Sequence, residues 1–555
     1  MLKCVKMKKF FLILLLCVCQ MCLAQNNKVS NSAATTQKMA ATMYLIDNFY
    51  VDSTDMPSLT DEAIVAMLKA LDPHSAYIPA KEVERANEQL VGSFDGIGVT
   101  FQILRDTILV VSPVSGGPSE KVGIMSGDRI IKIDGVDSYG VKINNEYVTK
   151  HLRGEKGTKV LLHIKRAGID ELLEFEVVRD KIPLNSIDSY FMVEKKVGYI
   201  KLNRFAQNST EEFEGALETL RNQGMRSLIL DLRGNSGGYL QTAIGLSNEF
   251  LGGDKTVVFT EGLKSPKQVY STDRNGAFRN GNLVILIDEG SASASEIVSG
   301  AVQDWDRGVI IGRRSFGKGL VQNIIPLSYN TKMKITVAHY YIPSNRCIQE
   351  IDYSKKRKKQ NANDTINTAD TLGPAFYTAN GRVVYEGHGI LPDVKIEPEM
   401  MSTVTTHLFA KNLFFKYANK FYHEHKSIAA PDKFQITDQI YDDFMSFVKD
   451  EGFSFVSESE NEIKILKKIA GYEGYLDNIT PLLDDAIAMI EKEKNKDLLN
   501  HRKEIEQLPK YEIVSRYHFQ KGRIISTLND DPELRRAVEL INNKEEYNNI
   551  LKGNR

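Results

Sequence analysis

The stretch of residues 282–305 reads NLVILIDEGSASASEIVSGAVQDW and contains the clearest indication of the fold class. Its first part, LVILID, is a continuous apolar run of strand length, typical of a β-strand buried on both faces. Its last part, SASEIVSGAVQDW, has apolar residues at helical spacing. The small residues between them let the backbone bend tightly and leave N–H groups free at the start of the helix. The stretch therefore predicts a buried strand that runs directly into a helix, as in an α/β fold.

The same alternation surrounds this stretch from residue 183 to residue 400. Strand-like runs are VGYIKLNRF, SLILDL and KMKITVAHYYIP, and helix-like runs are STEEFEGALETLRNQG and YLQTAIGLSNEFL. In the first of these helices, Ser209 and Glu212 have the spacing of an N-terminal capping box. Residues 355–371 are polar and lack apolar periodicity, which indicates a surface insertion. We predict one α/β domain over residues 183–400.

Three other segments differ from this domain in pattern. Residues 26–90 show helical spacing of apolar residues, and residues 401–555 are mostly helical and charged without a catalytic motif. Residues 91–182 alternate short β-type runs with Gly and Ser turns, which predicts a small β-rich domain. A chain of 555 residues is also too long for a single hydrophobic core.

Residues 1–24 have the layout of a secretory signal peptide. Lysines precede the apolar run FFLILLLCVC, and small residues follow it up to Ala24. The run is shorter than the about 20 residues of an ordinary membrane-spanning helix. We predict export to the periplasm or cell envelope, with the segment either cleaved or retained as a membrane anchor.

Composition excludes several classes of function. Four of the five cysteines lie in the export segment, so Cys347 alone cannot form an internal disulfide or a cysteine metal cluster. The histidines are scattered without an HExxH motif, and we predict neither a metal nor another cofactor. The net charge of -1 gives no sign of a nucleic-acid partner.

Three short motifs could carry chemistry. A serine in the SASAS junction would sit at a helix N-terminus, which stabilises developing negative charge. Lys318 in FGKG could act as a general base if burial removed its proton, and Gln322 is four residues away, on the same side of a strand or helix. The glycines of DLRGNSGG could present N–H groups to an oxyanion. From the residues alone, helix-start packing, a phosphate loop and an ordinary turn remain open for the three motifs.

In order and spacing, five motifs resemble those of the C-terminal processing peptidases, or tail-specific proteases: SFDGIGV, SGDRIIKIDG, DLRGNSGG, EGSASASEI and SFGKGLVQ. LDPHSAYIP and GHGILPDV resemble the flanking motifs of that family. The resemblance covers about residues 40–400 and leaves out the helical region after residue 400. It implies a crotonase-like α/β protease core with an inserted PDZ domain.

The resemblance also implies roles for individual residues. Ser293 would be the nucleophile, Lys318 the general base, and Gln322 the residue that orients Lys318. The oxyanion hole would use the amide of Ala294 and that of Gly237 or Gly238. Ser291 and Ser295 are the near alternatives for the nucleophile, and Glu296 would have a structural role at the helix start. Ser236 stands where the family often has proline.

GIGV, Gly96 to Val99, resembles the carboxylate-binding loop of PDZ domains. Such domains bind a peptide as an added strand and capture its C-terminal carboxylate with consecutive backbone amides. The candidate carboxylate-binding residues are Gly96, Ile97, Gly98 and Val99. The alternative is that these residues only form a tight turn into the next strand. The strand that follows would favour tails ending in small or apolar residues.

These observations predict a serine endopeptidase that trims exported proteins from their C-terminal tails. The alternatives are a catalytically idle PDZ scaffold that recruits envelope proteins, and a crotonase-type acyl-CoA enzyme, against which export argues. The sequence leaves open the natural substrates, whether an adaptor protein activates the enzyme, and whether the chain forms a homo-oligomer.

Overall fold

The computed structural model describes residues 31–83, 92–104, 106–114, 116–140, 143–353, 373–528 and 530–553. The predicted signal peptide and the predicted insertion at 355–371 lie outside these residues. None of the helices within them has the length and apolar character needed to cross a membrane. The described residues divide into two compact units: residues 31–81 with Asn323–Thr336, and the described parts of Glu82–Gln322 and Val337–Arg555.

The first unit contains two helices, α1 (Asn31–Phe49) and α2 (Met56–Lys69), and the short strand β1 (Ala76–Ile78). Helix α2 begins after Asp55, whose side chain accepts a hydrogen bond from the amide of Ser58 at 3.2 Å. Strand β1 pairs antiparallel with residues 332–334. The helices predicted for residues 26–90 therefore come with a strand that the sequence did not indicate.

The β-rich segment at the start of the second unit has its own apolar core. Its strands are β2 (Ser93–Gly96), β3 (Val99–Leu104), β4 (Thr107–Pro113), β5 (Arg129–Ile133), β6 (Val136–Asp137), β7 (Lys159–Lys165), β8 (Leu173–Val178) and β9 (Asp180–Pro183), and its helices are α3 (Pro118–Lys121) and α4 (Asn145–Leu152). The sheet order is β3-β4-β5-β7-β8, with β6 paired to β5. Strands β2 and β9 pair antiparallel where the chain enters and leaves the segment.

A six-stranded sheet forms the centre of the second unit. Its order is β10 (Ile187–Glu194), β11 (Val197–Leu202), β12 (Ser227–Asp231), β15 (Leu283–Ile287), β16 (Val309–Gly312) and β21 (Val394–Lys395). All neighbours are parallel except β10 and β11. Helices α5 (Ser209–Asn222), α6 (Leu240–Phe250) and α7 (Ala294–Asp304) connect these strands. The strand–helix alternation predicted from the sequence is present in this sheet and its connecting helices.

The remaining strands lie outside that sheet. They are β13 (Thr256–Gly262), β14 (Ser265–Ser271), β17 (Leu320–Pro326), β18 (Lys332–Tyr341), β19 (Ala375–Tyr377) and β20 (Val383–Tyr385). Strand β18 matches the long alternating strand predicted from KMKITVAHYYIP, and its end pairs antiparallel with β13.

The predicted capping box of α5 is wrong. Asn208 is the N-cap of this helix, and Ser209 is its first residue. The Oε2 atom of Glu212 instead accepts hydrogen bonds from the amides of Ser186 and Ile187, at 2.8 and 3.1 Å. Its Oε1 atom accepts from the Asn208 side chain at 2.6 Å. The carboxylate therefore joins the N-cap residue of α5 to the start of β10.

The C-terminal region is helical, as predicted. Its helices are α8 (Thr403–Ala410), α9 (Leu413–Glu424), α10 (Asp438–Asp450), α11 (Glu458–Glu473), α12 (Leu476–Asn500), α13 (Arg502–Ile505), α14 (Gln507–Thr527), α15 (Pro532–Asn542) and α16 (Lys544–Lys552). Helices α8, α9 and α10 share one apolar core with α13 and α14.

Different helices pack against the two faces of the central sheet. Leu228, Leu230 and Ile285 belong to the cluster that includes α5, α6 and α7. Ile229, Val284 and Val309 belong to a cluster with Leu534 and Leu540 of α15. Burial on both faces explains why these strands read as unbroken apolar runs. The C-terminal helices α15 and α16 are therefore part of the central α/β layer structure.

Candidate active site

Ser293 occupies the junction between β15 and α7, where it is the N-cap of the helix. Its φ is +56°, an uncommon conformation for a residue with a Cβ. Such backbone conformations cost about 1–3 kcal/mol each and persist where the surrounding structure enforces them. The bend thus sets Ser293 apart from the regular backbone on either side of it.

The three serines of SASAS have different environments. The hydroxyl of Ser291 donates to the carbonyl of Leu232 at 2.9 Å, and that of Ser295 donates to the carbonyl of Asn235 at 2.8 Å. Both side chains are fully buried, whereas Ser293 is half-buried. The outer two serines therefore tie the β15–α7 junction and the start of α7 to the glycine loop, residues 232–238. Ser293 is the accessible serine of the three.

Glu296, one turn into α7, joins the Ser293 junction to the lysine loop, residues 313–319. Its Oε2 accepts hydrogen bonds from the amides of Ser293 and Lys318, at 2.7 and 3.0 Å. Its Oε1 accepts from the Ser315 hydroxyl at 2.6 Å and from the Gly317 amide at 2.8 Å. The backbone nitrogens of Ser293 and Lys318 are thus within two hydrogen-bond lengths of each other. The structural role predicted for Glu296 extends beyond its own helix.

Burial raises the pKa of Glu296 to about 7, although its four hydrogen bonds act in the opposite direction. All four partners are donors, so the arrangement requires an ionised carboxylate as the acceptor. A proton on Glu296 would oppose at least one of these bonds. Protonation of Glu296 would therefore weaken the link between the two loops.

Tyr340 on β18 is a residue of the site that sequence reasoning missed. Its hydroxyl donates to the carbonyl of Lys318 and also lies in hydrogen-bond contact with the Ser293 side chain. Burial raises the pKa of Tyr340, so its hydroxyl keeps its proton at neutral pH. The alternation of β18 indicated an inward-facing residue, but nothing local indicated which loop it would meet.

The glycine loop lies directly against Ser293. A Cβ on Gly237 would lie 2.8 Å from the Ser293 Cβ and 2.9 Å from the Ala294 nitrogen, so only glycine fits there. The Gly237 amide donates to Asn235 Oδ1 at 2.9 Å. Among the described residues, the amides of Gly238 and Ala294 meet no acceptor. Both N–H groups are therefore available to donate to a ligand.

Lys318 and Gln322 lie on the chain that leads into and along β17. Both side chains are half-buried. The Gln322 Nε2 atom donates to the carbonyl of Leu320 at 3.2 Å. Tyr340 and Glu296 together fix the backbone of Lys318 on both sides, through its carbonyl and its amide.

The predicted carboxylate-binding loop, Gly96 to Val99, belongs to the β-rich segment. The carbonyl of Ile97 accepts hydrogen bonds from Ser119, and the carbonyl of Gly98 accepts from the Val114 amide at 2.9 Å. Gly98 has a φ of +71°, which favours glycine. Strand β3, which follows, is an edge strand of the sheet among the described residues. An edge strand can accept an added peptide strand.

Cys347 lies close to His339, a histidine eight positions earlier in the chain. Its Sγ lies 4.0 Å from His339 Nδ1. Burial raises the pKa of the thiol to about 11, so it remains protonated, unlike a nucleophilic cysteine. Within the part of the chain that the structure describes, no group of three or more His, Cys, Asp or Glu side chains could hold a metal ion.

Comparison with known families gives three matches along the chain. Residues 196–354 match peptidase family S41, residues 96–177 match the PDZ domain, and residues 404–541 match the "Probable PDZ-protease, C-terminal helical domain". The third match covers the helical region that the motif resemblance left out.

Individual relatives agree with these matches. The chain is 35% identical over 337 residues to a carboxy-terminal-processing protease of Bartonella bacilliformis, covering 59% of this chain and 76% of the relative. It is 34% identical over 296 residues to carboxy-terminal processing protease CtpA of Bacillus subtilis, covering 53% of this chain and 62% of that relative. A solved structure of a photosystem II D1 C-terminal processing protease is 24% identical to this chain. The match covers 66% of this chain and 93% of that protein, with a TM-score of 0.36. With so low a TM-score, the structural likeness adds nothing to the sequence matches.

Proposed function

Because this chain belongs to the carboxy-terminal processing proteases of peptidase family S41 and is a serine-type peptidase with a PDZ domain, we propose that it cleaves exported proteins with a Ser293–Lys318 site after binding their C-terminal tails. The family predicted from the motifs is confirmed. The fold is mixed α/β with a PDZ domain and a helical C-terminal domain. The crotonase-like arrangement of the core remains part of the proposal.

One observation carries the catalytic assignment. The Glu296 carboxylate binds the amides of both Ser293 and Lys318 through a single oxygen. A nucleophile and its base must lie within hydrogen-bond reach, and this shared acceptor brings their backbones together. Ser291 and Ser295 are committed to backbone carbonyls, which leaves Ser293 for chemistry.

In the proposed reaction, neutral Lys318 takes the proton of the Ser293 hydroxyl as its oxygen attacks the scissile carbonyl. The amides of Gly238 and Ala294 donate to the oxyanion that forms. Lys318 then gives its proton to the leaving amine, and water hydrolyses the acyl-enzyme with Lys318 again as base. Gln322 orients Lys318 by hydrogen bonding, without a charge that would hold the lysine protonated.

The proposed recognition step uses Gly96, Ile97, Gly98 and Val99. A free carboxylate at the end of a substrate would bind in this loop, and the tail would add a strand to the edge of β3. Apolar side chains of the PDZ core, Val99, Phe101 and Ile103, lie along the same strand. This favours tails with small or apolar ends. Export of the chain, and exported proteins as its substrates, rest on the predicted signal peptide at residues 1–24.

The test is cleavage of an unfolded reporter with an apolar tail by single variants. Ser293→Ala and Lys318→Ala should each lower kcat by about a thousandfold or more, because acid–base catalysis and the covalent step are both lost. Gln322→Ala should be milder, because water can partly replace its hydrogen bonds. Unchanged far-UV circular dichroism and melting temperature would show that the variants are folded. Wild-type activity in either of the first two variants would contradict the assignment, and an inactive wild type would favour the idle scaffold.

A further inference from the structure

We propose that the first turn of α15, through Asp531 and Glu533, positions both catalytic loops by holding Arg233 and Arg313. This inference rests on the proposed Ser293–Lys318 site. It gives the C-terminal helical domain a part in catalysis: Asp531 and Glu533 would be positioning residues for the glycine loop and for the lysine loop.

The first contact joins α15 to the glycine loop. Arg233 Nη1 lies 3.0 Å from Asp531 Oδ1, and Arg233 Nη2 lies 2.7 Å from Asp531 Oδ2. Two parallel bonds of this kind fix direction as well as distance. Glu533 Oε2 adds a third contact with Arg233 Nη1 at 3.2 Å. Arg233 is five residues before Gly238, the proposed oxyanion donor.

The second contact joins the same turn of α15 to the lysine loop. Glu533 Oε1 accepts from Arg313 Nη1, while its Oε2 accepts from Arg233. Arg313 directly follows β16 and is five residues before Lys318. Its Nε also donates to Glu289 at 2.9 Å. The Glu533 carboxylate therefore bridges Arg233, near the start of the glycine loop, and Arg313, at the start of the lysine loop.

Helix α15 is itself held firmly. Asp531 is its N-cap and accepts from the Leu534 amide at 2.9 Å. Leu534, Ala537 and Leu540 are buried against the second face of the central sheet. The carboxylates thus project from a fixed element, and this is what a support for a catalytic loop requires.

Arg233 is also bound from the side of the sheet. Its guanidinium donates to Asp231 Oδ2 at 2.7 Å, and Lys201 Nζ lies 3.0 Å from Asp231 Oδ1. Burial acts to raise the pKa of Asp231, but the charges of Arg233 and Lys201 hold it well below its usual value. Arg233 is therefore clamped between a carboxylate of the sheet and the carboxylates of α15. Without the latter, the glycine loop loses its outer support and Arg313 loses its link to that loop.

The test compares three variants of the full chain. Asp531→Ser keeps a good N-cap but cannot reach Arg233, and Glu533→Gln keeps the shape of the side chain without its charge. The matched control, Glu546→Gln, removes the ion pair with Arg536 between α15 and α16. For each, kcat and KM are measured on the tailed reporter, normalised to active sites titrated with a fluorophosphonate so that unfolded protein is not counted.

Each of the first two variants should lower kcat per titrated site by about tenfold or more, since displacements of about 1 Å in a catalytic site have effects of this size. KM should change less than twofold, because tail binding uses the PDZ loop, and the control should match the wild type. The inference is overturned if kcat per titrated site stays at the wild-type value in both variants, or falls equally in the control. If Asp531→Ser does not fold, Glu533→Gln decides by the same criteria. A wild type that cleaves the reporter without fluorophosphonate labelling at Ser293 would instead overturn the proposed function, and this inference with it.

Discussion

The proposed catalytic site and the PDZ loop are built in different ways. Around Ser293, hydrogen bonds from four separate segments converge: α7, the lysine loop, the glycine loop and β18. The loop at residues 96–99 is held by neighbours from one small domain, chiefly Ser119 and Val114. One region is assembled from distant parts of the chain, and the other is local.

This difference corresponds to two kinds of work. A nucleophile, a base and oxyanion donors act together only if their relative positions are fixed. Capture of a tail needs only a row of amides and a free strand edge, which a single β-turn-β unit can provide. Changes at the first region should therefore act on kcat, and changes at the second on the affinity for tails.

The largest effect expected from a single added methyl group is at Gly237. Gly237→Ala places a Cβ 2.8 Å from the Ser293 Cβ and must displace the junction. We expect kcat to fall about a hundredfold or more, comparable to the loss of an oxyanion donor. Gly234→Ala is the matched control, because Gly234 has a φ of +69° in the same loop with no atom near the added Cβ. Equal kcat losses in both variants would show that backbone strain, and not contact with Ser293, is responsible.

A smaller effect, on tail affinity, is expected at the PDZ loop. Amidation of a reporter tail removes the carboxylate charge, and a charge-assisted hydrogen bond is worth about 1.5–3 kcal/mol. Affinity for the tail should therefore fall about tenfold to a hundredfold, measured by peptide titration and by KM. A tail ending in Asp should also bind more weakly than an apolar one.

The same experiment can locate the carboxylate. Gly98→Ala should reduce the difference between free and amidated tails, because its Cβ would lie 3.0 Å from Ile182 Cδ1 at a φ of +71°. Gly116→Ala has a similar φ of +73° with open space around the added Cβ, and should keep the difference. Equal binding of free and amidated tails by the wild type would contradict tail capture by residues 96–99.

The smallest effect is a change in the slope of a pH profile. The proposed reaction needs a neutral Lys318 and an ionised Glu296, so protonation of either group would reduce kcat/KM as the pH falls. Burial raises the pKa of Glu296 to about 7 from an ordinary 4.5, so its protonation should be visible below neutrality. Log kcat/KM should approach a slope of two protons in the wild type and one in Glu296→Gln. Identical slopes in the wild type and Glu296→Gln would show that protonation of Glu296 does not affect the reaction.

Folding stability should respond to Glu296 in the opposite direction. A carboxyl whose pKa is higher in the folded state stabilises the fold fully below its unfolded pKa. That contribution is lost as the pH rises from about 4.5 through about 7. Protonation of Glu296 at acid pH would then lower activity without lowering the stability of the fold. Thermal unfolding measured across the same pH range can distinguish this loss of activity from unfolding.

The local patterns predicted much of this molecule. Apolar runs and helical spacing gave β15, α7 and the α/β alternation, and the order of the glycine and serine motifs gave the family. What could not be predicted depends on contacts between distant residues. Tyr340 meets Lys318 because the end of β18 hydrogen-bonds the lysine loop, where the Tyr340 amide also donates to the Gly319 carbonyl. Asp531 meets Arg233 across 298 positions of the chain. The capping box predicted for Glu212 was wrong for the same reason, since two of its partners are the amides of Ser186 and Ile187, about 25 positions earlier in the chain.

The location of a fluorophosphonate adduct, determined by peptide mass spectrometry, directly tests the proposed Ser293–Lys318 site. We predict a single adduct on Ser293, with none on Ser291 or Ser295, whose hydroxyls are bound to carbonyls. The adduct should be absent in Ser293→Ala and should form far more slowly in Lys318→Ala, although Lys318 is not itself modified. An adduct on another serine, or a rate of labelling at Ser293 that does not depend on Lys318, would contradict the proposed Ser293–Lys318 site.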